Sequence, residues 1–169
     1  MKLRWILLAV AVAVTSAVGV AAATASGDTV NFQASLSGFE EVPAVVTTGS
    51  GSFTARRVSD GVYDFELKYA DLGENPAVAH IHVGQKGVNG AVVVFLCGGG
   101  GTPPCPAAPA GTVTGTITNA SVLGVPTQGI TAGDLDKVFA AIDGGVAYVN
   151  IHTATSPGGK IRGQIQPGH

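Results

Sequence analysis

Charge is scarce in this sequence: only 12% of its 169 residues are Asp, Glu, Lys or Arg. Apart from Arg56-Arg57, no two basic residues stand side by side. Phosphate backbones are held by clustered Lys and Arg, so nucleic acid is excluded as a partner. Sulfur and indole are almost missing as well, with two Cys, one Met and one Trp, the last two lying within the first five residues. There is no G-x-S-x-G elbow, no H-E-x-x-H helix and no glycine loop leading into a helix, which removes the common serine-hydrolase, metalloprotease and nucleotide sites. The tract 98–101 is four glycines, but Pro103-Pro104 follows it, so it reads as a loop and not a phosphate cradle. Glu40 and Glu41 are neighbours whose side chains should point apart, which makes them poor partners for acid-base work.

What is abundant is apolar surface, at 46% of residues with a mean hydropathy of +0.37. Much of the excess lies at the front. Residues 1–25 combine a basic start at Lys2 and Arg4, an apolar stretch from Trp5 to Val14 and the small-x-small step Ala23-Thr24-Ala25. They read as a signal peptide for export, cleaved before Ser26, with a retained anchor as the alternative. Residues 26–169 are then a single domain with no membrane span, roughly 41% hydrophobic and ordinary for a soluble fold. Loss of Lys2 and Arg4 moves the net charge from −2 to −4. The expected destination is secreted or periplasmic, within the cell envelope. In such an oxidising setting Cys97 and Cys105, separated by a glycine and proline loop, are expected to form a disulfide, while their spacing fails a zinc or C-x-x-C redox pair.

The hydrophobic pattern alternates with period 2. Over 62–69, Tyr63, Phe65, Leu67 and Tyr69 share one face while Asp64, Glu66 and Lys68 share the other. Residues 52–58 supply its hairpin partner, and Gly61 the positive φ of the turn. Further strands are expected at 30–37, 77–83, 91–97, 111–118, 147–153 and 160–165. The run 92–96 has no polar alternate and should lie centrally, covered on both faces. A single helix is expected over 132–143, where Leu135, Val138, Phe139 and Ile142 follow helical spacing after a cap at Thr131. About eight short strands and one short helix define an all-β, antiparallel fold of Greek-key sandwich or barrel type.

Within those strands, Ala79, Ile81 and Val83 should face the core, which puts His80 and His82 together on the opposite face. The same alternation sets Tyr148, Asn150 and His152 outward from Val149 and Ile151. Residues i and i+2 on a strand point the same way, about 7 Å apart. His80, His82 and His152 are therefore the candidate ligands of a transition metal, copper first and zinc second, since imidazole suits both. The plain alternative is that all three simply face solvent.

Four segments in order carry a resemblance: Leu36-Ser37-Gly38-Phe39-Glu40-Glu41-Val42-Pro43, then Ala79-His80-Ile81-His82-Val83-Gly84 with Asn89-Gly90, then Tyr148-Val149-Asn150-Ile151-His152-Thr153, then Pro157-Gly158-Gly159-Lys160-Ile161-Arg162-Gly163-Gln164. Together they resemble the CHRD domain, a module of secreted proteins, and the cysteine loop is similar to its bacterial branch. This resemblance implies an all-β, immunoglobulin-like or superoxide-dismutase-like sandwich of poorly defined function. A more distant likeness to copper-zinc superoxide dismutases implies that His80, His82 and His152 hold copper, with Arg162 near an anion beside it; Asn150, on the same outward face as His152, is a further candidate for supporting the ion or that anion. No fourth strand histidine completes the set, since the remaining one, His169, is the last residue, and no loop rich in His and Asp accompanies them. The expected activity is metal holding without turnover, with an extracellular protein-interaction or matrix module as the alternative and a dismutase-type oxidoreductase behind both.

Overall fold

A computed structural model describes residues 32–168. The expected export signal lies outside the described residues. Nine strands and one α-helix are built as the alternation requires: β1 Phe32–Ser37, β2 Ser50–Ser59, β3 Val62–Ala70, β4 Pro76–Val83, β5 Ala91–Cys97, β6 Gly111–Thr118, α1 Leu135–Asp143, β7 Ala147–Thr153, β8 Ile161–Gln164 and β9 Gln166–Pro167. All the strand pairings are antiparallel, in the order β5-β4-β7-β8-β1-β2-β3-β6, with β9 beside β1. The ends of this path nearly meet. Val94 of β5 bridges Val122, and the Leu123 N–H donates to the Val93 carbonyl at 2.8 Å. Because β5 also touches β6 and β7 returns to lie beside β4, these four strands follow a Greek key.

Inside the sheet the apolar alternates form one core. Phe32, Ala34 and Leu36 of β1 meet Phe53 and Ala55 of β2 and Phe65, Leu67 and Tyr69 of β3, all buried. The β2–β3 hairpin turns where expected, with Gly61 at φ +68°. Helix α1 buries Leu135, Val138 and Ile142, and Phe139 stacks on Phe32 at 5.1 Å and tilts against Tyr63 at 4.0 Å.

Two expectations change. The helix starts at Leu135, and its cap is Asp134, whose carboxylate accepts from the Lys137 N–H at 3.3 Å, not Thr131. Gly133 at φ +83° breaks the helical pattern just before it. Strand β5, expected to be central, ends the hydrogen-bonded path. Its apolar run is explained by other cover: Phe95 packs edge-on against His80 at 4.7 Å, and Gly99 and Gly100 lie so close over its ring that a Cβ on either would collide with it. The Cys97–Cys105 disulfide closes that glycine loop.

Backbones approach closely where β8 pairs with β1. A Cβ on Gly163 would strike the Ser35 carbonyl, whereas one on Gly158 meets nothing within 4 Å. Gly163→Ala is therefore expected to lose about 1 to 3 kcal/mol or more in urea unfolding, because backbone and not a flexible side chain must move. Gly158→Ala should change stability by less than about 0.5 kcal/mol. Equal melts for the two variants would contradict this packing.

Candidate metal centre

Three adjacent strands, β4, β7 and β8, carry the candidate residues on the face turned away from the core. Their register sets His82 opposite Tyr148, His80 opposite Asn150 and Val78 opposite His152, while Asn150 pairs in turn with Arg162. Two histidines from β4 and one from β7 thus converge. Each offers one ligand atom, and these atoms lie within 4.8 Å of one another. His82 Nε2 and His80 Nδ1 stand 3.3 Å apart. Two nitrogens bound about 2.0–2.1 Å from a tetrahedral ion stand about 3.3 Å apart, so this pair already has ligand spacing. The widest separation allowed, 4.8 Å, exceeds that spacing by about 1.5 Å, so the rings draw together by that much to share one ion.

Backbone carbonyls fix the rings. His82 Nδ1 donates to Gly90 O and His152 Nδ1 donates to Pro157 O, each at 3.0 Å. A carbonyl only accepts, so the proton of each neutral ring sits on Nδ1 and the lone pair on Nε2. All three rings prefer to be neutral. Burial drives His80 down to about 4, helped by the neighbouring His152 and His82, and burial also lowers His82 and His152. Neutral imidazole is the form that binds a metal.

The alternation correctly grouped these side chains on one face, but that face is not wet. His80, His82, Tyr148, Asn150 and Arg162 are all buried there, with His152 half-buried. Loops cover them. Arg162, 1% exposed, donates to Gln85 O (3.1 Å), Val88 O (2.9 Å) and Asn89 Oδ1 (3.3 Å), pulling the loop between β4 and β5 over the strands. Asn89 Nδ2 then donates to Val42 O at 3.0 Å, and Lys86 pairs with Glu40 at 3.0 Å, tying in the loop after β1. The Arg162 guanidinium also lies 3.4 Å over the Tyr148 ring, and that ring is parallel to His82 at 4.7 Å. With β7 between β4 and β8, cation, phenol and imidazole form one stack.

Sequence reasoning missed Glu41 and Phe95. Glu41 is 5% exposed, and its Oε1 is buried with no hydrogen-bond partner. Its carboxylate packs against Gly159, where no side chain would fit. In the sequence only its neighbour Glu40 and its place in a run shared with the resemblance marked it. The carbonyls of Gly90 and Pro157 leave no sequence signal beyond their motifs, since any residue has a carbonyl.

Comparison with known proteins adds one result: the sequence model of the CHRD domain matches residues 32–165. No curated protein and no solved structure matches the chain. Among the described residues no helix is long and apolar enough to cross a membrane.

Glu41 generates a pH prediction. Burial raises its pKa from 4.5 to about 7, with the Arg162 charge pulling the other way. A carboxyl that is harder to ionise in the folded state costs stability as pH rises from 4.5 through 7. Glu41→Gln should therefore raise unfolding free energy at pH 8, by at most about 3 kcal/mol, and give much less at pH 4.5. Urea melts at both pH values check this, and a gain independent of pH would contradict it.

Proposed function

The chain belongs to the CHRD-domain family, and on that premise we propose that it is an exported module that binds one transition-metal ion, copper before zinc, through His80, His82 and His152. The ion is stored, sequestered or delivered outside the cytoplasm, with no turnover required. The observation that carries the reading is the convergence of three imidazoles, two buried and one half-buried, with ligand atoms within 4.8 Å and two of the rings oriented by backbone carbonyls. Copper and zinc are the first-row ions for which such a nitrogen set is most apt. A secreted or periplasmic setting agrees with the Cys97–Cys105 disulfide, and residues 1–25 supply the export signal, with residues 26–169 as the single domain.

Each neighbour has a task in this reading. Gly90 and Pro157 hold the tautomers of His82 and His152. Arg162 supports the site through Tyr148, since the bonds it makes go to the covering loop. Phe95 walls His80 on the β5 side. A second reading, an extracellular interaction module without metal, draws on Phe39, which is 68% exposed beside the Glu40–Lys86 pair.

Metal analysis of untagged protein discriminates the two. One copper or zinc per chain is expected, with affinity falling more than about a hundredfold in His82→Ala. Protein that takes up no copper or zinc, and whose thermal midpoint does not move on their addition, would end the metal reading and leave the interaction module, whose partner would still bind after all three histidines are replaced.

A further inference from the structure

Asn150 lies on β7 between Tyr148 and His152, opposite His80 in register, and is 3% exposed. Its Oδ1 stands 3.0 Å from His152 Nε2, and His80 faces it across the β4–β7 pairing. The amide thus lies on the histidine face, in direct contact with one of the three rings. The contact with His152 has a particular character. Because His152 Nδ1 donates to Pro157 O, the Nε2 of the neutral ring presents a lone pair. An amide oxygen presents lone pairs too, and two acceptors facing each other at 3.0 Å repel unless a cation shares them. The spacing is also that of adjacent donors each about 2.0–2.1 Å from one ion, as is the 3.3 Å between His82 Nε2 and His80 Nδ1.

We propose that the side-chain oxygen of Asn150 is the fourth donor of the metal centre, making it a closed set of three nitrogens and one oxygen that favours divalent copper and zinc over monovalent copper. The inference rests on the metal reading above and goes further, because it assigns a ligand and an oxidation state. An amide oxygen is a hard donor that a divalent ion accepts and soft monovalent copper does not need. Four protein donors leave no position for water or substrate, the pattern of a holding site and not of a catalytic one. Had the amide been turned, with Nδ2–H donating to His152 Nε2, Asn150 would instead block the ion, and its removal would tighten binding.

Competition titrations on the full exported chain separate these cases. Asn150→Ala is expected to weaken Cu(II) and Zn(II) binding at least about tenfold while Cu(I), titrated without oxygen, changes less than about threefold. Asn150→Asp keeps an oxygen donor and should match or exceed the wild type for both divalent ions. The electron paramagnetic resonance spectrum of the Cu(II) form should shift in Asn150→Ala. Cu(II) bound by that variant as tightly as by wild type, or more tightly, or with an unchanged spectrum, overturns the fourth ligand while leaving the three-histidine site standing. Wild-type protein that binds none of the three ions overturns the underlying reading and this inference with it.

Discussion

The pairing of β4 with β7 is the constraint on which the rest depends. Its register sets His80 against Asn150 and His82 against Tyr148, and it brings His152 to the same face. A one-residue slip of either strand would turn that strand's polar side chains into the core and bring its apolar alternates out. The register is secured because that inner face is fully apolar and buried. Hydrophobic burial on one side of two strands thereby positions polar chemistry on the other, without any residue having to satisfy both demands.

Placing polar groups under loops has a cost, and the structure offsets it group by group. The ring nitrogens His82 Nδ1 and His152 Nδ1 find carbonyls, and Arg162 finds two carbonyls, an amide and an aromatic face. Burial keeps the imidazoles neutral, so the same desolvation that opposes a proton leaves lone pairs for a metal. Glu41 is the exception, with a buried oxygen lacking a partner. Its proximity to Arg162 partly compensates, which ties the loop after β1 to the strand that supports the site.

Much of this was legible in the residues. Period-2 alternation located β3, β5, β6 and β7 to within a residue or two, and the shared facing of His80 and His82 followed from Ile81 and Val83 alone. The glycine and proline loop between Cys97 and Cys105, in a chain expected to be exported, foretold their bond. Strand order was not legible, because nothing local to β5 says that it ends a nearly closed sheet, and its apolar run reads equally well as a central strand. Burial of the histidine face was not legible either. It depends on where the Arg162 guanidinium points, a matter of long-range contacts with residues more than seventy positions away in the chain. Glu41 illustrates the same limit, since a carboxylate in a Gly- and Pro-rich neighbourhood ordinarily faces water.

The central claim is that neutral imidazoles from β4 and β7 share one ion. X-ray absorption at the copper edge of the Cu(II)-loaded chain tests it most directly, because imidazole rings scatter in a pattern that other ligands do not reproduce. The account predicts three imidazole nitrogens about 2.0 Å from the metal, with no sulfur. A first shell of oxygens alone, or one with a single imidazole, would contradict it.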